Sequence, residues 1–288
     1  MEPAAGFFES WFLWRDPLAV AIIAAALCAF VGVYIVMKRI VFVSAALSQM
    51  SGVGVAIAFY LASVAGVDPH HAPLYLNPLW YALGLAAAGA ALFSLNLNRR
   101  RLAGETVVGL GYLIAAASVI MILNSPRVGQ EAHEVNDLLY GNAVAVPPEQ
   151  LKIMSGTAIL IGLVHGIFGK EFVFTTYDAE MARTLGVRTR SWNLLLFLTF
   201  AAAISVSTRA IGALPVFAFM VIPPAAGLLL GQRLWQVFAI SVVVAVLGAT
   251  LGYYASWHWS LPTGASMVVV TALFLLPGIA RLRMKGGS

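Results

Sequence analysis

Histidine and acidic side chains gather at three places where a metal ion could be held. Asp68, His70 and His71 stand together in the segment DPHH. Carboxylate oxygen and imidazole nitrogen at this spacing can hold zinc, and solvation on a flexible loop serves the same side chains equally well. His133 lies among Glu131, Glu134 and Asp137; it could meet a metal or a partner protein, or simply face water. His165 sits in an apolar run between Gly162 and Gly166, where a polar ring needs a partner and a hydrogen bond to a neighbouring helix is the simplest one. His258, between Trp257 and Trp259, has the setting of an interfacial anchor. The single cysteine, Cys28, cannot form an internal disulfide and reads as a small packing residue. No GxxxxGK[ST] phosphate loop occurs, so the chain itself is not expected to turn over nucleotide.

The elements that must position these residues are membrane helices. The chain is 61% hydrophobic and 10% charged, with a mean hydropathy of +0.89, values that a water-soluble domain of this length does not carry. Its apolar runs are long and lack the period-two alternation of a membrane barrel. They cover residues 17–37, 42–66, 79–97, 105–123, 152–169, 192–210, 212–231, 235–256 and 262–280, giving an all-α, polytopic integral membrane bundle of about nine helices. Residues 1–288 are expected to form one transmembrane domain with its membrane core at 17–280. Glu2 and Glu9 precede the first run without a basic segment, and that run ends at Lys38 and Arg39 without a cleavage site, so no cleavable signal peptide is expected.

Basic residues orient the bundle. With nine spans, one set of loops collects Lys38, Arg39, Arg99, Arg100, Arg101, Lys170, Arg183, Arg188, Arg190, Arg233, Arg281, Arg283 and Lys285, thirteen of the seventeen. Arg15, Arg127, Lys152 and Arg209 fall on the other side. This asymmetry predicts an outward amino terminus and a cytoplasmic carboxyl terminus, and it accounts for the net charge of +5 without a nucleic-acid partner. Trp11, Trp14, Trp80, Tyr81, Trp192, Trp235, Trp257 and Trp259 fall near span ends, as headgroup-level aromatic rings do. No acidic residue falls well inside a span, which speaks against a carrier coupled to an ion gradient. Gly162/Gly166, Gly227/Gly231 and Gly248/Gly252 place small residues four apart, where helix backbones can approach closely in lipid.

Two loops are long. Residues 124–151 form a polar, acidic outward segment, with a short interfacial helix expected around Val135 to Tyr140. In the inward segment 170–191, Asp178 can cap a short helix that runs to Leu185 and ends at Gly186. A capped helix in such a loop is a surface for a partner; a plain connection is the alternative.

Five stretches in order resemble the permease family that works with ATP-binding subunits and periplasmic binding proteins to import zinc, manganese or iron. They are KRIVFVSAALSQMSGVGVAIAF (38–59), NDLLYGNAVAV (136–146), YDAEMARTLGV (177–187), IGALPVFAFMVIPPAAGLLL (211–230) and SLPTGASMVVVTALFLL (260–276). The resemblance implies a transmembrane fold of the vitamin B12 importer type in the bacterial inner membrane, two permease copies around a central pathway, as homodimer or heterodimer, and a substrate-binding protein. It also implies that the chain is a transporter subunit and not an enzyme. It implies too that the chain carries no cofactor of its own and that ATP and Mg stay on the partner ATPase. The segment after Tyr177 becomes the coupling helix, with Asp178, Glu180, Ala182, Leu185 and Gly186 meeting that ATPase.

At the start of the second span, family members place an acid and a histidine in a DxxxH pattern. One helical turn apart, such side chains share a face and suit a divalent ion. Here those positions hold Ala45 and Gln49, flanked by Ser44, Ser48, Met50 and Ser51, a polar and soft face without charge. The family's metal site therefore does not carry over residue by residue. Either a second, intact permease supplies the ligands, or the cargo is a chelated or organic compound that needs no charged shell. Pro215, Pro223 and Pro224 are expected to break the seventh span and to line the pathway or a hinge. Rival readings are a channel or secondary carrier with no ATPase, which would have no use for a docking helix in 170–191, and a subunit that only scaffolds an active transporter.

Overall fold

A computed structural model describes residues 11–67, 73–96, 104–125 and 148–286. Among them the chain is helical: α1 (Trp11–Met37), α2 (Phe42–Ala65), α3 (Pro78–Asn96), α4 (Gly104–Leu123), α5 (Pro148–Tyr177), α6 (Ala179–Thr184), α7 (Thr189–Ile211), α8 (Ala213–Leu230), α9 (Leu234–Trp259), α10 (Thr263–Leu273) and α11 (Leu276–Gly286). The described helices supply nine segments long and apolar enough to cross a membrane, α10 and α11 together forming the last. The DPHH cluster, the 99–101 loop, His133 and the helix expected at 135–140 lie outside the described residues.

α1 occupies the centre, touching α5, α7, α8 and α9, while α7 bridges to α2, α3 and α5. α2, α3 and α4 pack together on one flank, and α8, α9 and α10 on the other. Missing side chains set the closest approaches. A Cβ on Gly54 would run into the Tyr81 backbone of α3, and Gly248 and Gly252 bring α9 against Thr271 and Met267 of α10. Gly227 and Gly231 likewise face Val237. Gly162 and Gly166 do not fit the expected pattern, because among the described residues nothing beyond α5's own adjacent backbone lies within 4 Å of a Cβ at either position. They belong to a face of α5 where Ile159, Leu160, Leu163 and Ile167 are also uncovered.

α8 is continuous, contrary to the expected break. Pro215 stands in its first turn, where the missing N–H has no intrahelical partner to lose. Pro223 and Pro224 lie inside the helix and are buried; by the i to i−4 rule they remove the donors for the Phe219 and Met220 carbonyls. Gly32 of α1 abuts the Met220 carbonyl, so a Cβ there would overlap it. The backbone freed by Pro224 is thus covered by a helix that can approach only through glycine.

Three further expectations change. α5 runs on through Tyr177, across a kink at Phe168 (φ −107°, ψ 15°), so residues 170–177 are helix and Glu171 lies within the span. The last span turns at Phe274 and Leu275, whose amides bond three residues back to Thr271 and Ala272, just before Pro277, which has no amide to offer. Trp14 is buried at 3% exposure, whereas Trp80, Trp235, Trp257 and Trp259 remain exposed at helix ends.

Candidate translocation face and coupling helix

On α2 the polar residues divide between two environments. Ser44, Ser48 and Ser51 are buried; Ser44 Oγ donates to the Val41 carbonyl at 2.7 Å and Ser48 Oγ to the Ala45 carbonyl at 2.9 Å. Ser51 Oγ is buried with no hydrogen-bond partner among the described residues. Ala45 and Gln49 are partly exposed, in line with Val41 at four-residue spacing, so these three form a stripe that the other described residues cover only in part. Met50 points elsewhere: it packs between Gly89 of α3 and Gly111 of α4. Pro215, Pro223 and Pro224 are enclosed within the bundle rather than on that stripe. α2 touches both α7 and α8, and α7 contributes a buried series of small polar groups, Ser205, Ser207 and Thr208.

His165 is packed, as expected, but its hydrogen bond goes to its own helix and not to a neighbouring one. Its Nδ1 lies 3.0 Å from the Ile161 carbonyl, and the ring is enclosed by Phe30, Tyr34 and Phe172 with centroids at 5.3, 5.2 and 4.8 Å. Nε2 is buried and has no hydrogen-bond partner among the described residues. Among the described residues no three His, Cys, Asp or Glu side chains come together as a metal site. His258 stacks on Tyr254 at a helix end. Cys28 is buried and free.

The segment after α5 is a short helix capped at both ends. Asp178 Oδ1 accepts hydrogen bonds from the amides of Glu180 (3.1 Å) and Met181 (2.8 Å), satisfying two orphan donors of α6. At the other end Gly186, with φ 80°, closes the helix. The Val187 amide reaches Ala182 O and the Gly186 amide reaches Arg183 O, both at 3.0 Å, the paired bonds of a Schellman motif. Ala182 is buried against the bundle, while Tyr177, Met181 and Leu185 are exposed by 83, 54 and 64%. Apolar side chains spaced four apart, bordered by exposed Glu180 and Arg183, suit a protein groove.

Beside this element stands Lys38, which sequence reading used only for orientation. Its Nζ donates to Asn193 Oδ1 at 2.8 Å and lies 3.4 Å from the Thr175 carbonyl. Burial pushes the ammonium down to about 8 from its ordinary range. These contacts put the α1–α2 turn and α6 at the same end of the bundle.

The nine-span bundle and the capped α6 agree with a match over residues 12–281 to the family described as the ABC 3 transport family. The chain belongs to the ABC 3 transport family. It is therefore a transporter permease subunit and not an enzyme, which removes the channel and carrier readings. Among relatives of this ABC 3 chain, the manganese import system permease protein ScaB of Streptococcus pneumoniae is 23% identical over 259 residues, covering 90% of this chain and 85% of that protein. The manganese transport system membrane protein MntC of Listeria innocua is 26% identical over 210 residues, covering 72% and 74%. The fold resembles a chain of PsaBC from Streptococcus pneumoniae in complex with Fab, with a TM-score of 0.79 at 20% identity, over 95% of this chain and 94% of that one.

Proposed function

We propose that this ABC 3 chain forms the translocation pathway of an importer for a transition-metal ion, manganese foremost, delivered by a binding protein and driven by a separate ATP-binding subunit. The observation that carries the reading is the family match over nearly the whole chain. The manganese systems of its relatives point to the cargo. The α6 helix, capped at Asp178 and closed at Gly186, with Glu180 and Leu185 outward and Ala182 as its anchor, is the coupling helix. The protein is a multi-pass protein of a bacterial inner membrane, its α6 end and carboxyl terminus cytoplasmic, in keeping with the basic residues gathered at that end. The permease domain pairs with a second permease copy, so that the partly exposed Val41, Ala45 and Gln49 stripe faces the central pathway, with Ser44 and Ser48 behind it.

A second reading concerns cargo alone. Ala45 and Gln49 offer no charged ligand, so a chelated or organic compound fits the same face. Deleting the gene in its host and measuring cellular manganese, zinc and iron by mass spectrometry, with the metals supplied free and as chelates, separates the two. Loss of manganese accumulation from the free ion supports the metal reading; loss confined to a chelated form supports the second.

A further inference from the structure

We infer that Lys38 is a positioning residue that fixes the register between α1 and the two helices carrying α6, so that movement imposed on α6 reaches the centre of the bundle. This rests on the reading of α6 as the coupling helix. α6 has six residues and touches only α5 and α7 among the main contacts of the fold. α1, at the centre, is far from it in sequence and not among its main contacts. Lys38 supplies a polar link: its two acceptors, Thr175 and Asn193, lie on the last turn of α5 and the first turns of α7, on either side of α6.

The local chemistry favours this geometry. The last turn of a helix leaves carbonyls without partners and carries partial negative charge, so an ammonium at the ends of α1 and α5 is well placed. The start of α7 would repel it, and there the Asn193 amide oxygen intervenes as acceptor. Beside these bonds Tyr34, Phe172 and Trp192 meet edge to face in series, with centroid distances of 6.4 and 6.0 Å, joining the same three helices. Apolar contact of this kind has no direction and lets helices slide or rotate. A hydrogen bond has direction and holds one register. No carboxylate lies within ion-pair distance of Lys38 among the described residues, so the link is a cation on neutral acceptors, which helix movement can break and remake without leaving an unpaired buried acid.

Stability and coupling separate under mutation. Lys38→Met removes two hydrogen bonds but also a charge that burial already disfavours, so the fold loses little while the register is lost. The test uses the complete complex of permease, ATPase and binding protein in proteoliposomes, reading manganese transported per ATP hydrolysed. Lys38→Met should lower that ratio about ten-fold or more, the worth of a charge-assisted hydrogen bond, with the ATPase still bound and the thermal midpoint near that of the native protein. Lys38→Arg, which keeps the cation and its donors, should retain most of the ratio. Asn193→Leu should match Lys38→Met, the double variant being no worse than either, and it stands in for the Lys38 variant if that fails to assemble. A native ratio in both Lys38→Met and Asn193→Leu overturns the inference, as does a Lys38→Arg variant as impaired as Lys38→Met. Disrupting α6 with Asp178→Ala and Gly186→Pro separates the two claims. If that leaves coupling intact, the coupling-helix reading fails; if it uncouples while Lys38→Met does not, Lys38 alone is refuted.

Discussion

Replacing Asp178 by alanine tests whether the fold of α6 itself carries the coupling. The carboxylate accepts from two amides, at 3.1 and 2.8 Å, and an N-cap of this type is worth about 1 kcal/mol, a factor of about five in the ratio of formed to unformed helix. In a long helix this would be absorbed. α6 has six residues, far below the length at which a helix holds itself in water, and its one buried side chain is Ala182. The cap and the Schellman closure at Gly186 therefore carry much of its order. Hydrogen exchange read at Glu180 and Met181 should accelerate about five-fold in Asp178→Ala, with spans such as α1 unchanged, and transport per ATP should fall in step. Asp178→Asn keeps an equivalent cap and should preserve both readouts. If exchange accelerates while transport per ATP stays native, the order of α6 is irrelevant to coupling. If asparagine fails as badly as alanine, the carboxylate acts through its charge and the capping argument is wrong.

Other perturbations test separate parts of the account. Ala45→Asp with Gln49→His restores an acid and an imidazole one turn apart on a stripe that is partly open; the double variant should insert normally and bind manganese or zinc more tightly by calorimetry, and unchanged binding would mean that this stripe does not line the pathway. Gly32→Ala drives a methyl into the Met220 carbonyl and should cost about 1–3 kcal/mol as overpacking, lowering the thermal midpoint in detergent. Gly84→Ala, with nothing within 4 Å, should be neutral or stabilising. Because Cys28 is fully buried, Leu185→Cys can be probed in the otherwise native chain; an impermeant maleimide should label it from the cytoplasmic face, and labelling from outside would invert the proposed orientation.

The parts of this fold that the sequence announces are those governed by local chemistry. Nine apolar runs mark nine spans because lipid requires each to close its own backbone hydrogen bonds, and Asp178 with Gly186 marks α6 because caps act over three or four residues. Long-range choices leave no such mark. The partners of Lys38 lie 137 and 155 residues away, and nothing near KRI singles them out. The helical continuation through Tyr177 is hidden by the mixed polarity of KEFVFTTY, whose helix is held in part by bundle packing, with Phe172 fully buried. Gly162 and Gly166 show the reverse case: their spacing signals close packing, yet no other described helix comes within 4 Å of a Cβ at either position. Of the candidate pathway, the shared stripe of Ala45 and Gln49 follows from helical periodicity, while the inward packing of Met50, Pro215, Pro223 and Pro224 depends on neighbours that periodicity does not name.

The central claim is that ATP hydrolysed elsewhere moves a metal ion through this chain. The most direct test is manganese uptake into proteoliposomes holding the permease with its ATPase and binding protein. The account predicts uptake against a gradient that requires ATP and disappears when the ATPase is replaced by a hydrolysis-deficient form. Manganese entry that proceeds equally without ATP, or no entry of manganese, zinc or iron with an active ATPase, would contradict it.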